Sequence, residues 1–373
     1  NKYFVDLGMV GSSGSFFGGL SWQLLIALSA VFFICYLGSI LPSWRFSVPF
    51  NYVSNWIVIL GFSLAIFGLT LGTLKGEISA SFEIPPIVTI NQQQIGPLWP
   101  ILFVTLSSGA VSGWHALVSS YSTSHQVEKE PLIKPITTIA TYGETIIVSI
   151  IIIFAATFGV SSGIFNPDQN FTLTSGPASV FAIGFAKTWH ILGVSESFGA
   201  SISAILFTLM GLSVLQLVVR YARIIIGELF GKRFQLMKNP HIGTFIVLFV
   251  SLFLVLIGLR EWLWVLFAGA NQLLASLVLI FATIWLAEQN KSTWWTFLPS
   301  IFLFLTGLAA IIYSSIYQPF LSTGFSTAID PDNISLESII MLVFAVIVSA
   351  SAIYIYLIGI QKFRRLRLNS TIN

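Results

Sequence analysis

Long apolar runs separated by short polar segments dominate the chain. The runs predict nine membrane-spanning helices, at about residues 21–41, 55–74, 98–118, 136–158, 198–219, 243–259, 263–286, 295–317 and 336–358. Most runs approach the roughly 20 apolar residues that a helix needs to cross a bilayer. Two longer connections break the pattern: residues 75–97 are rich in Pro and Gln, and residues 159–197 in Gly, Ser and Asn. We therefore predict an all-α, polytopic transmembrane bundle.

Composition supports this class and narrows the chemistry. The 373 residues are 55% hydrophobic and 8% charged, against about 25% charged in soluble domains. The single cysteine, Cys35, excludes an internal disulfide and argues against a cysteine metal site. No metal and no other cofactor is expected, and one histidine within the spans is too few to favour a haem-binding redox subunit.

The positions of Lys and Arg predict the orientation. Thirteen of the 17 basic residues fall on one side if the loops after spans one, three, five and seven and the C-terminus are cytoplasmic. An odd number of spans, an outer N-terminus and a cytoplasmic C-terminus follow. The basic tail "QKFRRLRL" is then expected to contact anionic membrane lipid, and no nucleic-acid partner is expected.

The third span, "GPLWPILFVTLSSGAVSGWHALVSS", places small and polar residues at membrane depth. Backbone can leave the helix there only where it faces protein or a wet cavity. Interrupted helices of this kind build substrate sites in transporters. A second interpretation stays open, because Gly109 and Gly113 also form a GxxxG packing motif. The candidate substrate-binding residues in this span are Ser107, Ser108, Gly109, Ser112, Gly113 and His115.

Two ionisable residues lie within predicted spans. Glu144 is the acidic residue placed well inside one, and His115 is the histidine placed inside one. Such groups are costly in a bilayer, so they mark pathways or sites. We therefore predict that Glu144 and His115 mark a pathway or a binding site. The alternatives are a protonated Glu144 bonded to a neighbouring helix and a His115 bonded to a carbonyl freed by the interruption.

Two further polar pairs extend the candidate site. Ser213 and Gln216 lie at i and i+3 on the fifth span, and Asn271 and Gln272 follow Gly269 in the seventh. All four are candidate substrate-binding residues lining one midplane cavity with the third span. Each pair also fits an interhelical hydrogen bond.

The motif "SSGAVSGWHALVSS" resembles that of the carbon starvation protein A (CstA) family of membrane transporters, approximately CGAxSGFHxLxSSGTT. The resemblance covers about residues 30–290, and the family pattern continues in order through "YLGSILPSW", "YGETI", "RYARIIIGELFG" and "LFAGANQLLA".

The resemblance implies a secondary active transporter in the plasma membrane, moving pyruvate or small peptides with protons. Glu144 or His115 would then carry the proton. The resemblance also implies a LeuT/APC-type inverted-repeat fold, in which the interrupted span opens the second repeat. Residues 1–290 would form the transporter core, and 291–373 two further spans with a basic cytoplasmic tail. Three more spans would precede residue 1. Because the chain begins with Asn1, we expect N-terminal helices to be missing from it.

Four positions depart from the family pattern. The chain has Phe50 and Asn51 where the family commonly has Arg and Asp, and Gln216 where it has Asp. The acid that follows Tyr-Gly in the family falls at Val148, while Glu144 lies one turn earlier on the same face. These departures leave open a second hypothesis, a membrane receptor or accessory protein that binds a metabolite without moving it. An enzyme is disfavoured, because the chain has no HExxH pattern and no convincing nucleophile–base–acid set.

Overall fold

The computed structural model describes residues 22–79, 81–85, 91–92, 96–120, 124–169, 172–173, 177–256, 260–315 and 336–370. Within these ranges the regular secondary structure is helical apart from two short antiparallel hairpins. The α-helices are α1 Trp22–Ile40, α2 Ser47–Lys75, α3 Phe103–Ala110, α4 Gly113–Val118, α5 Ile133–Phe158, α6 Pro177–His190, α7 Glu196–Phe230, α8 Pro240–Leu256, α9 Arg260–Glu288, α10 Trp294–Ile312 and α11 Leu336–Ser370.

Short elements connect these helices. A π-helical turn, Leu98–Leu102, precedes α3, and 3₁₀ turns lie at Ser124–Gln126, Glu130–Leu132, Pro167–Gln169 and Gln235–Lys238. Strand β1 (Asn91–Gln92) pairs with β2 (Gly96–Pro97), and β3 (Phe165–Asn166) pairs with β4 (Thr172–Leu173).

Seven helical segments in the described ranges are long and apolar enough to cross a membrane, and two apolar helices are shorter. The seven are Ser47–Leu74, Leu98–Val118, Glu130–Phe158, Glu196–Phe230, Leu266–Glu288, Trp294–Ser315 and Ile339–Arg367, and the shorter two are Ile26–Ile40 and Pro240–Leu254. All nine predicted spans thus correspond to apolar helices. The polytopic helical bundle is confirmed, although α2, α7 and α11 run well beyond their predicted limits.

Helix α6 lies in the connection 159–197, where we predicted no helix. It is the centre of the largest apolar core, which also includes Phe62 of α2, Phe154 of α5 and Leu206 of α7. Phe185 of α6 is fully buried, and its ring lies 5.1 Å from that of Phe62 and 5.5 Å from that of Phe154. At 14 residues, α6 is too short to span a bilayer, which is why the run-length criterion missed it.

The chain divides into two compact units by its contacts. The first, residues 1–89 and 125–252, contains α1, α2 and α5–α8, with α7 packed on α1, α2 and α6. The second, residues 90–124 and 253–373, contains α3, α4 and α9–α11, with α9 packed against the other four. In the second unit α9 and α10 approach closely at glycine, since a Cβ atom added at Gly307 would lie 3.1 Å from the Gly269 carbonyl oxygen.

Candidate functional site

The predicted interruption of the third span is confirmed. Helix α3 ends at Ala110 and α4 begins at Gly113, with two non-helical residues between them. Val111 has φ −127° and ψ 89°, and Ser112 has φ −106° and ψ 115°. The segment joins glycine and serine residues, which favour turns and caps over helix interiors. The Ser112 hydroxyl caps α4 by accepting a hydrogen bond of 3.2 Å from the His115 amide.

Asn271 of α9 holds the interruption from both sides. Its Nδ2 donates to the Ser108 carbonyl at 3.0 Å, and its Oδ1 accepts from the Trp114 amide at 2.8 Å and from the Ser112 hydroxyl at 3.2 Å. In a continuous helix the Ser108 carbonyl would accept from residue 112, and the Trp114 amide would donate to residue 110. One buried carboxamide therefore replaces two lost backbone hydrogen bonds.

Gln272, the next residue on α9, contacts the α3 side of the interruption. Its Nε2 donates to the Ser107 hydroxyl at 2.8 Å, and its side chain is fully buried. Its Oε1 has no hydrogen-bond partner among the residues that the structure describes. An unpaired buried amide oxygen is costly, so this atom is a candidate contact for a water or ligand.

The two glycines of the GxxxG motif behave differently. A Cβ atom added at Gly113 would lie 2.2 Å from the Ala275 amide nitrogen, so this glycine allows α4 to touch α9. A Cβ atom added at Gly109 would meet no atom within 4 Å. The packing interpretation therefore holds for Gly113 alone, and the motif combines close packing at one glycine with an interruption between the two.

The end of α3 presents exposed backbone. Gly109 and Ala110 are exposed, and their carbonyl oxygens accept no hydrogen bond from the described part of the chain. Two amides in the first turn of α4 are engaged, Trp114 by Asn271 and His115 by Ser112. The open groups at the end of α3 are therefore carbonyl acceptors.

A separate polar cluster lies in the first unit. Gln216 of α7 is fully buried, and its Nε2 donates to Asn51 Oδ1 of α2 at 2.8 Å. The two positions at which an amide replaces the acid expected from the family pattern therefore contact each other. Gln216 Oε1, like Gln272 Oε1, has no partner in the described residues. Ser213 donates to the Leu209 carbonyl of its own helix at 2.8 Å.

Arg220 lies one turn beyond Gln216 and has a structural role. Its guanidinium donates to the carbonyls of Gly38 and Leu41, which lie at the C-terminal end of α1. A cation at the negative end of a helix satisfies carbonyls that have no partner within the helix. Sequence reasoning placed Arg220 at the end of a span, but α7 continues to Phe230.

Glu144 and His115 are both exposed on their helices, in different units. Glu144 lies near the middle of the candidate span Glu130–Phe158. It makes no hydrogen bond or ion pair with another described residue, and neither does the His115 ring. The alternatives in which each bonds to a neighbouring group receive no support from these contacts, and the proton-coupling role stays a prediction.

Helix α5 carries a hydroxyl ladder that sequence reasoning missed. Thr137, Thr141, Thr145 and Ser149 repeat every four residues, and each donates to the carbonyl four residues earlier at 2.7–2.9 Å. All four side chains are exposed, and Glu144 adjoins them. The spacing of four residues is visible in the sequence, and it predicts that the four hydroxyls share one face of the helix.

The structure thus resolves the predicted site into two clusters. Within the second unit it brings together the polar residues of the third and seventh predicted spans: Ser107, Ser108, Ser112, Gly113, Asn271 and Gln272. Within the first unit it joins Gln216 to Asn51 but not to Glu144. The single cavity shared by all these residues stays a prediction. Among the described residues, no group of three His, Cys, Asp or Glu is arranged to hold a metal.

A further cavity, of about 320 Å³, lies in the first unit between the ends of α2, α5 and α6 and the start of α7. Glu83 closes the turn after α5, where its carboxylate accepts from the amides of Val160 and Ser161 at 2.9 and 2.8 Å. The cavity carries charges of both signs from distant segments, which sequence spacing alone does not reveal. Its ionisable lining residues are Glu77, Glu83, Lys187, His190 and Glu196.

Comparison with known proteins identifies the family to which the chain belongs. The family model for carbon starvation protein CstA matches residues 18–171 and 164–310. The peptide transporter CstA of Campylobacter jejuni is 26% identical over 351 residues, covering 76% of this chain and 47% of the relative. The pyruvate/proton symporter BtsT of Escherichia coli is 29% identical over 151 residues, covering 39% of this chain and 19% of the relative.

The peptide transporter CstA of Escherichia coli is 31% identical over 152 residues, covering 39% of this chain and 20% of the relative. The chain spans about half the length of the longest-matching curated relatives. No solved structure matches it. Because the family model covers most of the chain, and the interrupted span with its α9 partner lies within the match, this multi-pass membrane protein belongs to the carbon starvation protein CstA family.

Proposed function

We propose that the protein is a secondary active transporter that moves small peptides or pyruvate across the cell membrane, coupled to protons, and has no enzymatic activity. The fold would be a LeuT/APC-type inverted repeat, with residues 1–290 in the transporter core and 291–373 forming additional spans and a cytoplasmic tail. The relatives' names, peptide transporter and pyruvate/proton symporter, support the substrate classes and the proton.

The interrupted span is the observation that carries the proposal. Asn271 stabilises non-helical backbone at membrane depth, and the exposed carbonyls of Gly109 and Ala110 remain open. Open carbonyls suit a ligand that donates hydrogen bonds, such as the ammonium group of a peptide. A small peptide is therefore the substrate that the open carbonyls favour. Pyruvate has oxygen atoms that only accept hydrogen bonds, and the name of the symporter relative supports it as a substrate.

In the second unit the substrate would contact the interruption and the buried Gln272. In this proposal Gln272 offers its unpaired Oε1 atom, while Asn271 shapes the site. The proposed substrate-binding residues remain Ser107, Ser108, Gly109, Ser112, Gly113, His115, Ser213, Gln216, Asn271 and Gln272.

Glu144 and His115 are the proposed proton carriers. Both lie within spans and have no partner in the described residues, so each is able to exchange a proton with a wet pathway. Asn51 and Gln216 carry carboxamides, which do not titrate. In this proposal the proton is therefore carried by Glu144 or His115 and not by the amide pair.

Uptake by the full-length protein in proteoliposomes tests the proposal. We expect an imposed inward proton gradient to drive accumulation of a labelled dipeptide or of pyruvate. The Glu144→Gln, His115→Gln double variant should keep exchange but lose gradient-driven accumulation, whereas Glu128→Gln, at an exposed loop position, should behave as wild type. Unchanged accumulation in the double variant would remove both residues from the proton route.

The amide pair favours one alternative, a receptor that binds without moving its ligand. Asn51 and Gln216 bond to each other without charge, which suits a static site. Counterflow separates the two functions, because a receptor binds labelled ligand but does not exchange it across the vesicle membrane. Binding without counterflow would favour the receptor.

A further inference from the structure

A cavity of about 310 Å³ lies in the second unit between the start of α10 and the end of α11. Its lining combines two arginines with aromatic rings and one threonine, with no acidic residue among those that the structure describes. The lining residues are Thr293, Trp294, Phe297, Phe363, Arg364 and Arg367.

The two arginines differ in how they are held. Arg367 donates to the Thr293 hydroxyl at 3.0 Å, and its guanidinium lies 5.5 Å from the centre of the Phe363 ring. Arg364 is exposed and makes no hydrogen bond or ion pair with a described residue. The nearby Glu288 is already paired with Lys362 at 3.1 Å. Arg364 therefore gives the cavity a positive charge that no carboxylate of the described residues neutralises.

The residues around the cavity are of the kinds that gather where a span meets the lipid headgroups. The apolar part of α11 runs to Ile360, and basic residues begin at Lys362, within the candidate span Ile339–Arg367. Trp294 and Trp295 at the start of α10 are 63% and 85% exposed. Tryptophan and basic residues gather where a span meets the membrane surface. The residues around the cavity are therefore of the kinds typical of the level at which lipid phosphates lie.

We propose that this cavity binds the phosphate group of an anionic phospholipid. Arg364 and Arg367 contact the phosphate oxygens, an arrangement that guanidinium groups favour because they offer paired donors. The positive end of α10 adds to the attraction, and the aromatic rings contact the glycerol and upper acyl carbons. The site is independent of substrate transport and makes the protein's stability depend on lipid charge.

The test uses the full-length protein reconstituted in phosphatidylcholine alone or mixed with phosphatidylglycerol. We expect phosphatidylglycerol to raise the thermal unfolding temperature of the wild type and to remain bound in native mass spectrometry. Arg364→Gln should weaken lipid retention roughly fivefold, the value for one basic residue near an anionic surface. The Arg364→Gln, Arg367→Gln double variant should lose the temperature rise.

Arg365→Gln is the matched control, because Arg365 is an exposed neighbour on the same helix that does not line the cavity. It should retain lipid as the wild type does. Arg364→Gln removes no hydrogen bond or ion pair with a described residue, so a large folding defect is not expected. Equal loss in Arg364→Gln and Arg365→Gln would overturn the site in favour of diffuse surface attraction. Inorganic phosphate that stabilises the detergent-solubilised protein in the same Arg364-dependent way would overturn lipid as the ligand.

Discussion

Asn271 bonds to both halves of the interrupted helix, and its side chain is 3% exposed. Neither the Ser108 carbonyl nor the Trp114 amide is positioned to pair within its own helix. The carboxamide of Asn271 therefore donates a hydrogen bond to the first and accepts one from the second. Bonding to both halves requires a side chain that carries a hydrogen-bond donor and an acceptor close to the backbone. The carboxamide of asparagine provides both.

We predict that Asn271→Leu lowers the free energy of unfolding by about 1–3 kcal/mol, because it leaves buried polar groups unpaired at nearly constant volume. Reversible unfolding in bicelles or nanodiscs measures the change, and hydrogen exchange at the Trp114 amide should rise with it. Ser213→Ala is the control, since that hydroxyl bonds only to its own helix, and it should change stability by less than about 0.5 kcal/mol. Equal effects of the two variants would contradict a special role for Asn271.

At the scale of the element, the two glycines flanking the interruption provide a matched pair. Gly113→Ala should destabilise the protein by about 1–3 kcal/mol, because the new methyl group collides with the α9 backbone at Ala275. Gly109→Ala, where the methyl group meets open space, should leave the unfolding free energy within about 0.5 kcal/mol of wild type. A thermal shift assay on both variants checks the contrast, and a larger loss at Gly109 would contradict the structure.

The sequence predicts the spans from the length of their apolar runs, and the interruption from its small and polar residues. The nine apolar runs have the length of spans, and "SSGAVSG" interrupts one of them with residues that form poor helix interiors. Helix α6 was missed, because its apolar positions Phe181, Phe185 and Trp189 lie in a segment too short to cross a bilayer. The bonds from Asn271 to residues 108 and 114 join positions more than 150 residues apart, and no local pattern specifies such a pairing.

At the scale of the whole molecule, the distribution of basic residues predicts which ends face the cytoplasm. With Cys35 replaced by serine, a cysteine at the exposed position Ser79 should react with a membrane-impermeant maleimide applied outside intact cells. A cysteine at Lys291, exposed after α9, should react only after permeabilisation. Labelling of Lys291→Cys alone in intact cells would reverse the predicted orientation.

The anchoring of the interrupted helix by α9 has a consequence for biosynthesis. Ser112 and Asn271 are 159 residues apart in the chain, so the ribosome completes the interrupted segment long before its anchor exists. Unpaired backbone groups in hydrocarbon cost several kcal/mol. The segment therefore enters the membrane without the side chain that stabilises its final shape, and its extended residues become stable at membrane depth only when α9 has been synthesised, inserted and packed.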